Sequence, residues 1–141
     1  MAVWQFCFHI IPKNNVNKVK LDDILSWKNK LISIDSLKIS FLTSKKSWSD
    51  NIIQYGELEC DCIEISFNKK YIEEIECRLD MRKFSLEILK EMLSFANQIE
   101  AYIYLNGNIV DANVKSVIPL LKKSEAVKYC SNPLGFISSL N

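Results

Sequence analysis

Apolar positions along this chain recur every second residue in some stretches and every third or fourth in others, and the switches between the two periods mark its elements. Residues 2–11 read as a first strand. Trp4, Phe6, Phe8 and Ile10 point one way; Val3, Cys7 and Ile11 share the other face with Gln5 and His9. Both faces are largely apolar, which suits a central strand. A loop at Pro12–Lys18 follows, and the spacing of Ile24, Trp27 and Leu31 then predicts a helix over Leu21–Leu31. Lys38–Leu42 fits either a strand or a helical turn. Ser44–Asn51 is a polar loop carrying Trp48, expected to fold back onto the core, with exposed anchoring as the alternative.

The pattern is clearest between Glu57 and Met81. Ile63, Ile65 and Phe67 alternate on one strand, Ile75, Cys77, Leu79 and Met81 on the next, with Asn68-Lys69-Lys70 as the turn. The outward face of the second strand is charged throughout: Glu74, Glu76, Arg78, Asp80 and Arg82. One apolar and one charged face mark an antiparallel, half-solvated sheet. Ser85–Ile99 is a helix with Ser85 as N-cap and Phe84 and Leu89 at hydrophobic-staple spacing. Asn106-Gly107 between Tyr102–Leu105 and Ile109–Asp111 signals a two-residue hairpin. Val114–Lys122 reads as a helix interrupted near Pro119, Glu125–Cys130 as a further turn or two, and Asn132-Pro133 as the start of a last helix through Leu140. Hairpins dominate, and only the 85–99 helix can make a long crossover. The expected fold is α+β: a mixed, mainly antiparallel sheet with helices packed on one face.

Composition fits one domain over residues 1–141. At 48% hydrophobic and 25% charged, the chain is neither disordered, collagen-like nor coiled-coil. A net charge of +1 gives no global pull towards nucleic acid or an anionic membrane. No apolar run approaches the roughly 20 residues that a membrane span needs. Ala2–Ile11 lacks the basic leader of an export signal, so the expected compartment is the cytoplasm. Five cysteines, an odd number, argue for reduced thiols, mostly in the core.

Chemical signatures are few. His9 is the one histidine, set mid-strand without an evident nucleophile beside it. Cys60-x-Cys62 lacks the spacing and the second pair of a zinc site. Three glycines leave no room for a phosphate-cradling loop, and no G-x-S-x-G or H-E-x-x-H pattern occurs. No cofactor and no metal are therefore expected, and the balance leans away from an enzyme.

Charge distribution says more. Residues 1–50 carry eight lysines and four aspartates. Residues 57–80 carry eight acids (Glu57, Glu59, Asp61, Glu64, Glu73, Glu74, Glu76 and Asp80) against Lys69, Lys70 and Arg78. Such a face either keeps the protein solvated or attracts a basic protein partner. The partner-binding residues expected from this pattern are Glu74, Glu76 and Asp80, with Arg78 and Arg82 setting register and Tyr71 at the rim.

Three stretches also carry a family resemblance: Tyr55-Gly56 before an acidic strand, Arg78-Leu79-Asp80-Met81-Arg82 before the long helix, and Ser124-Glu125-Ala126 with Asn132-Pro133-Leu134-Gly135-Phe136-Ile137 near the end. Together they resemble small bacterial proteins, mostly uncharacterised, some of which look like immunity proteins of toxin–immunity loci. That resemblance implies binding and blocking a cognate toxin without chemistry, and it carries over no functional residue. The expected function is a non-catalytic protein-binding domain. Its rivals are an enzyme or small-ligand binder with a sheet–helix pocket near His9, Cys7 and Arg78, and a structural homodimer.

Overall fold

A computed structural model describes residues 2–130 of the chain. Its strands are β1 (Gln5–Pro12), β2 (Ser44–Lys45), β3 (Ile52–Gly56), β4 (Cys62–Asn68), β5 (Tyr71–Asp80), β6 (Ala101–Leu105) and β7 (Asn108–Val110). They form one sheet in the order β2-β3-β4-β5-β1-β6-β7, antiparallel at every step. The helices among the described residues are α1 (Leu21–Leu25), α2 (Leu86–Gln98), α3 (Val114–Lys122) and α4 (Glu125–Tyr129). The α+β class therefore holds, with β1 inside the sheet as its two apolar faces required. β1 separates β5 from β6, and α2 makes the crossover between them.

One face of the sheet carries the core. Phe6, Phe8 and Ile10 of β1, Ile75, Cys77 and Leu79 of β5, and Ile63 and Ile65 of β4 are all buried there. Against them pack Leu89, Met92, Leu93 and Phe95 of α2, Val117, Ile118 and Leu121 of α3, and Val127 of α4. Each large apolar side chain buried this way is worth about 1.5–3 kcal/mol. Surface ion pairs are worth about 0–1 kcal/mol, so this layer holds the fold together. Ser85 caps α2 by accepting the Ile88 N–H at 3.2 Å, as its position predicts.

Four local expectations change. The helix predicted to Leu31 stops at Leu25, because the following residues edge the half of β5 that β1 does not reach. Trp27 N–H donates to the Glu73 carbonyl at 2.8 Å, Ile72 N–H to the Ile32 carbonyl at 3.0 Å, and Ile34 N–H to the Lys70 carbonyl at 2.8 Å. The fully buried Trp27 indole also donates to the Ile10 carbonyl at 2.7 Å. Second, the β4–β5 pairing is irregular at Ser66/Phe67, where Glu74 and Ile72 face consecutive β4 residues and Glu73 is the extra one. Third, α3 runs through Pro119 without interruption. Fourth, Lys38–Leu42 is neither strand nor helix but a segment whose Ile39, Phe41 and Leu42 pack on the core. The helix expected after Asn132-Pro133 lies outside the described residues.

Among the described residues, two glycines take positive φ, for different reasons. Gly107 (φ 84°) completes the Asn106-Gly107 hairpin turn, and a Cβ there would meet nothing within 4 Å. Gly56 (φ 81°) ends β3, where a Cβ would lie 2.1 Å from the Asp61 carbonyl oxygen. Gly107→Ala should therefore cost about 1–2 kcal/mol through backbone strain alone. Gly56→Ala should cost at least about 3 kcal/mol, since strain and a backbone clash add. Urea denaturation of the two variants tests this ordering, and equal losses would refute it.

Candidate functional site

The other face of the sheet carries polar side chains, and register decides which of them meet. Gln54, Glu64, Glu76, His9 and Tyr104 stand opposite one another in a row across β3, β4, β5, β1 and β6. The neighbouring row holds Cys62, Arg78 and Cys7. Glu64 and Glu76 thus face each other directly, an arrangement that repels unless a cation sits between them.

Arg78 is that cation. Its Nη2 donates to Glu64 Oε1 and its Nε to Glu76 Oε1, both at 2.6 Å. Burial works to lower the Arg78 pKa, but the hydrogen bond and charge of Glu76, helped by Glu64, outweigh it and hold the guanidinium above the usual arginine range. The row continues at both ends. His9 Nε2 lies 3.6 Å from Glu76 Oε2. At the other end Trp48, in the loop between β2 and β3, donates from Nε1 to Glu64 Oε2 at 2.8 Å. The Glu64 side chain is only 10% exposed, whereas Trp48 is 70% exposed. The expectation that Trp48 plugs the core is therefore reversed: its one polar atom is tied to the sheet and its ring faces outward.

A shallow depression of about 200 Å³ lies between these groups, lined by Trp48, Ile52, Ser66 and Glu74 together with Glu64, Arg78, Glu76 and His9. The six expected partner-binding residues do not converge on it. Glu74, Glu76 and Arg78 line it. Tyr71 lies at the start of β5, roughly 10 Å further along the strand from Glu74, beneath Lys70. Asp80 is buried at the opposite end, and Arg82 is not in the strand at all. Arg82 lies in a 3-10 turn capped by Asp80, which it grips with Nε (3.0 Å) and Nη2 (2.9 Å), and its guanidinium stacks 4.0 Å over Trp4. Sequence patterning omitted Trp48 and Glu64 from the site. An indole in a polar loop and an acid on the neighbouring strand were the available signals, but only the register joins them.

Five of the eight acids of residues 57–80 pair with a cation, two of them with lysines distant in sequence. Glu57 pairs with Lys45, Glu73 with Lys28, Glu64 and Glu76 with Arg78, and Asp80 with Arg82. Among the described residues, no ion pair reaches Glu59 or Glu74. Asp61 accepts the Asp80 N–H at 2.8 Å. Burial nevertheless raises its pKa above the ordinary aspartate range, and the Asp80 charge adds to the rise against that hydrogen bond.

The chemical capacity of this face is limited. Burial, reinforced by Glu76, pushes the Cys7 thiol up to about 12, and burial with Glu64 does the same to Cys62. Cys77, fully buried in the core, is also held well above the ordinary thiol range by its burial. None of these is a thiolate at neutral pH. Ser66 is the one hydroxyl lining the depression. It stands two strands and one row from His9, roughly 11–12 Å, too far for a base to activate a nucleophile. No group of three or more metal-ligating side chains forms among the described residues. Of His9, Cys7 and Arg78, the three residues expected near a sheet–helix pocket, His9 and Arg78 line the depression on the open face and Cys7 alone borders a groove beside the helices. That groove, about 800 Å³, lies between the start of β1, the β6–β7 turn, α3 and α4, lined by Val3, Cys7, Leu105, Leu120 and Tyr129 among others. Just past Tyr129 the chain continues into residues 131–141, outside those described. No helix among the described residues is long and apolar enough to cross a membrane.

Two expectations follow. Arg78→Met should cost about 3 kcal/mol or more at pH 7, because two opposed carboxylates, one almost buried, lose their shared cation. Urea denaturation at pH 7 tests this, and a loss within the roughly 0–1 kcal/mol of a surface ion pair would contradict it. Asp61 runs the other way from a salt-bridged acid. Its folded-state pKa is raised, so the ionised form costs stability above that pKa, and the cost disappears as protonation sets in on acidification. Asp61→Asn keeps an acceptor for the Asp80 N–H. It should raise the urea midpoint at pH 7, with the gap closing by about pH 3.

Comparison with protein-family models, curated proteins and solved structures gives no match, and the role of this face rests on its own geometry.

Proposed function

We propose that this chain is a non-catalytic protein-binding domain that presents the open face of its sheet to a basic partner. The observation that carries this reading is the row Trp48–Glu64–Arg78–Glu76–His9, with Glu74 beside it. It is a hydrogen-bonded, net acidic surface, opposite the face that α2, α3 and α4 cover, with no activated nucleophile among its groups. Oriented charge on a strand-borne surface steers association and fixes register. An immunity-type inhibitor, the finer reading suggested by the family resemblance, would use such a face to occupy a toxin without chemistry.

Glu74 is the residue to change. Glu76→Lys would set a lysine against Arg78 and disturb the fold, whereas Glu74 has no cation to lose. Proteins captured from source-cell lysate by the wild type should be compared with those captured by Glu74→Lys, and the association rate of any recovered partner measured at low and moderate salt. The expected result is a basic protein whose association slows about tenfold in the variant and depends less on salt. An unchanged rate would remove the acidic face from the interface. Sedimentation of the free chain separates this reading from self-association.

A further inference from the structure

We propose that Trp48 and Glu74 together receive an arginine side chain of the partner, its guanidinium stacked on the indole and its fork on the carboxylate. This rests on the binding-face reading above and specifies its contact. An indole has a single polar atom, and that of Trp48 is already bonded to Glu64. What remains is an apolar ring, 70% exposed, with nothing further to gain from water. Its orientation is fixed by a chain of bonds: the indole is held by Glu64, Glu64 by Arg78, and Arg78 by Glu76. A ring pinned in this way loses little freedom on binding, which is the property of an interface anchor.

The depression beside the ring selects the size and charge of what enters. At about 200 Å³ it falls below the roughly 300–1,000 Å³ of drug-sized pockets but admits the head of one side chain. Glu76 and Glu64 are engaged by Arg78, leaving Glu74 as the acid on its wall that no cation matches among the described residues. Arginine suits both surfaces. Its planar head stacks on indole, and its parallel N–H groups match a carboxylate, whereas an ammonium offers only a point charge.

The molecule already contains this arrangement within itself. Arg82 lies 4.0 Å over the Trp4 ring while its Nε and Nη2 grip Asp80. Trp48 and Glu74 repeat two of those three parts, tryptophan and carboxylate, and lack the arginine.

Two acetylated octapeptides, alternating arginine–glycine and alternating lysine–glycine, test the proposal by calorimetry and by the emission of the exposed Trp48. The wild type should bind the arginine peptide about tenfold more tightly than the lysine peptide. Trp48→Ala should erase that preference, and Trp48→Phe, which keeps a ring without the N–H, should keep part of it. Thermal melts confirm that the variants fold, as expected when Glu64 keeps Arg78. Equal affinity for the two peptides, or a preference that survives Trp48→Ala, overturns the arginine proposal and leaves the acidic face standing. If neither peptide binds, or if Glu74→Lys binds both as well as the wild type does, the binding-face reading falls with it.

Discussion

The guanidinium of Arg78 is the constraint on which the polar half of this molecule depends. Antiparallel register sets Glu64 directly against Glu76, and the slow twist of a sheet cannot move them apart. One cation from the adjacent row satisfies both through two 2.6 Å bonds. The geometry then propagates outward. Glu64, held by one oxygen, offers its other to Trp48, and Glu76, held by one oxygen, turns its other towards His9. Removing any outer member leaves the centre intact, whereas removing the centre strands two acids. Glu64 and Arg78 are both mostly buried, so Arg78 contributes to stability as well as to order. It converts like charges on neighbouring strands into a surface of fixed shape.

A second constraint acts at one end of that surface. The chain between β3 and β4 reverses over Leu58–Asp61, and its carbonyls receive donors from four neighbours. Gln5 Nε2 reaches Leu58 and Cys60, Arg78 Nη1 reaches Leu58, Trp4 Nε1 reaches Glu59, and Arg82 Nη2 also reaches Glu59. Only a glycine at position 56 lets this turn approach so closely. The Asp80 backbone joins the same turn through Asp61, which explains why Asp80 is buried and why the charged ladder of β5 ends before Arg82. Acids at this end therefore close the fold, and those in the middle of the strand remain at the surface.

Much of the architecture was legible in the sequence where local signals agreed. The β4–β5 hairpin, the capped α2 and the Asn106-Gly107 turn each combine periodicity with a residue suited to its backbone. The failures occur where distant groups override local preference. Residues 26–31 continued the helical spacing that starts at Leu21, but β5 needed hydrogen-bond partners beyond the end of β1, and Trp27 supplies one with its backbone while its ring fills the gap. Trp48 looked like a core plug because large aromatics are usually buried. Its destination was set by Glu64, sixteen residues away, and no pattern within the loop encodes that pairing. Glu74, Glu76 and Arg78 were legible as one face because strand alternation is local. Their pairing with Glu64 and His9 was not, because it depends on the order of strands, which the sequence does not print.

That distinction also changes what the charge of residues 57–80 means. Counted along the sequence, those residues look like an acidic patch offered whole to a partner. In three dimensions five of their eight acids are met by cations: Lys28 and Lys45 come from the lysine-rich first third, while Arg78 and Arg82 arise within or just after the segment. A surface so compensated attracts cations less than its composition suggests, but it discriminates better. Its paired carboxylates cannot swing to meet an arbitrary partner, and the unmatched Glu74 lines the same depression as an oriented indole. Diffuse negative charge would favour any basic protein; one acid beside one fixed ring favours a particular side chain at a particular position. Specificity of that kind comes from what the ion pairs withhold as much as from what they present.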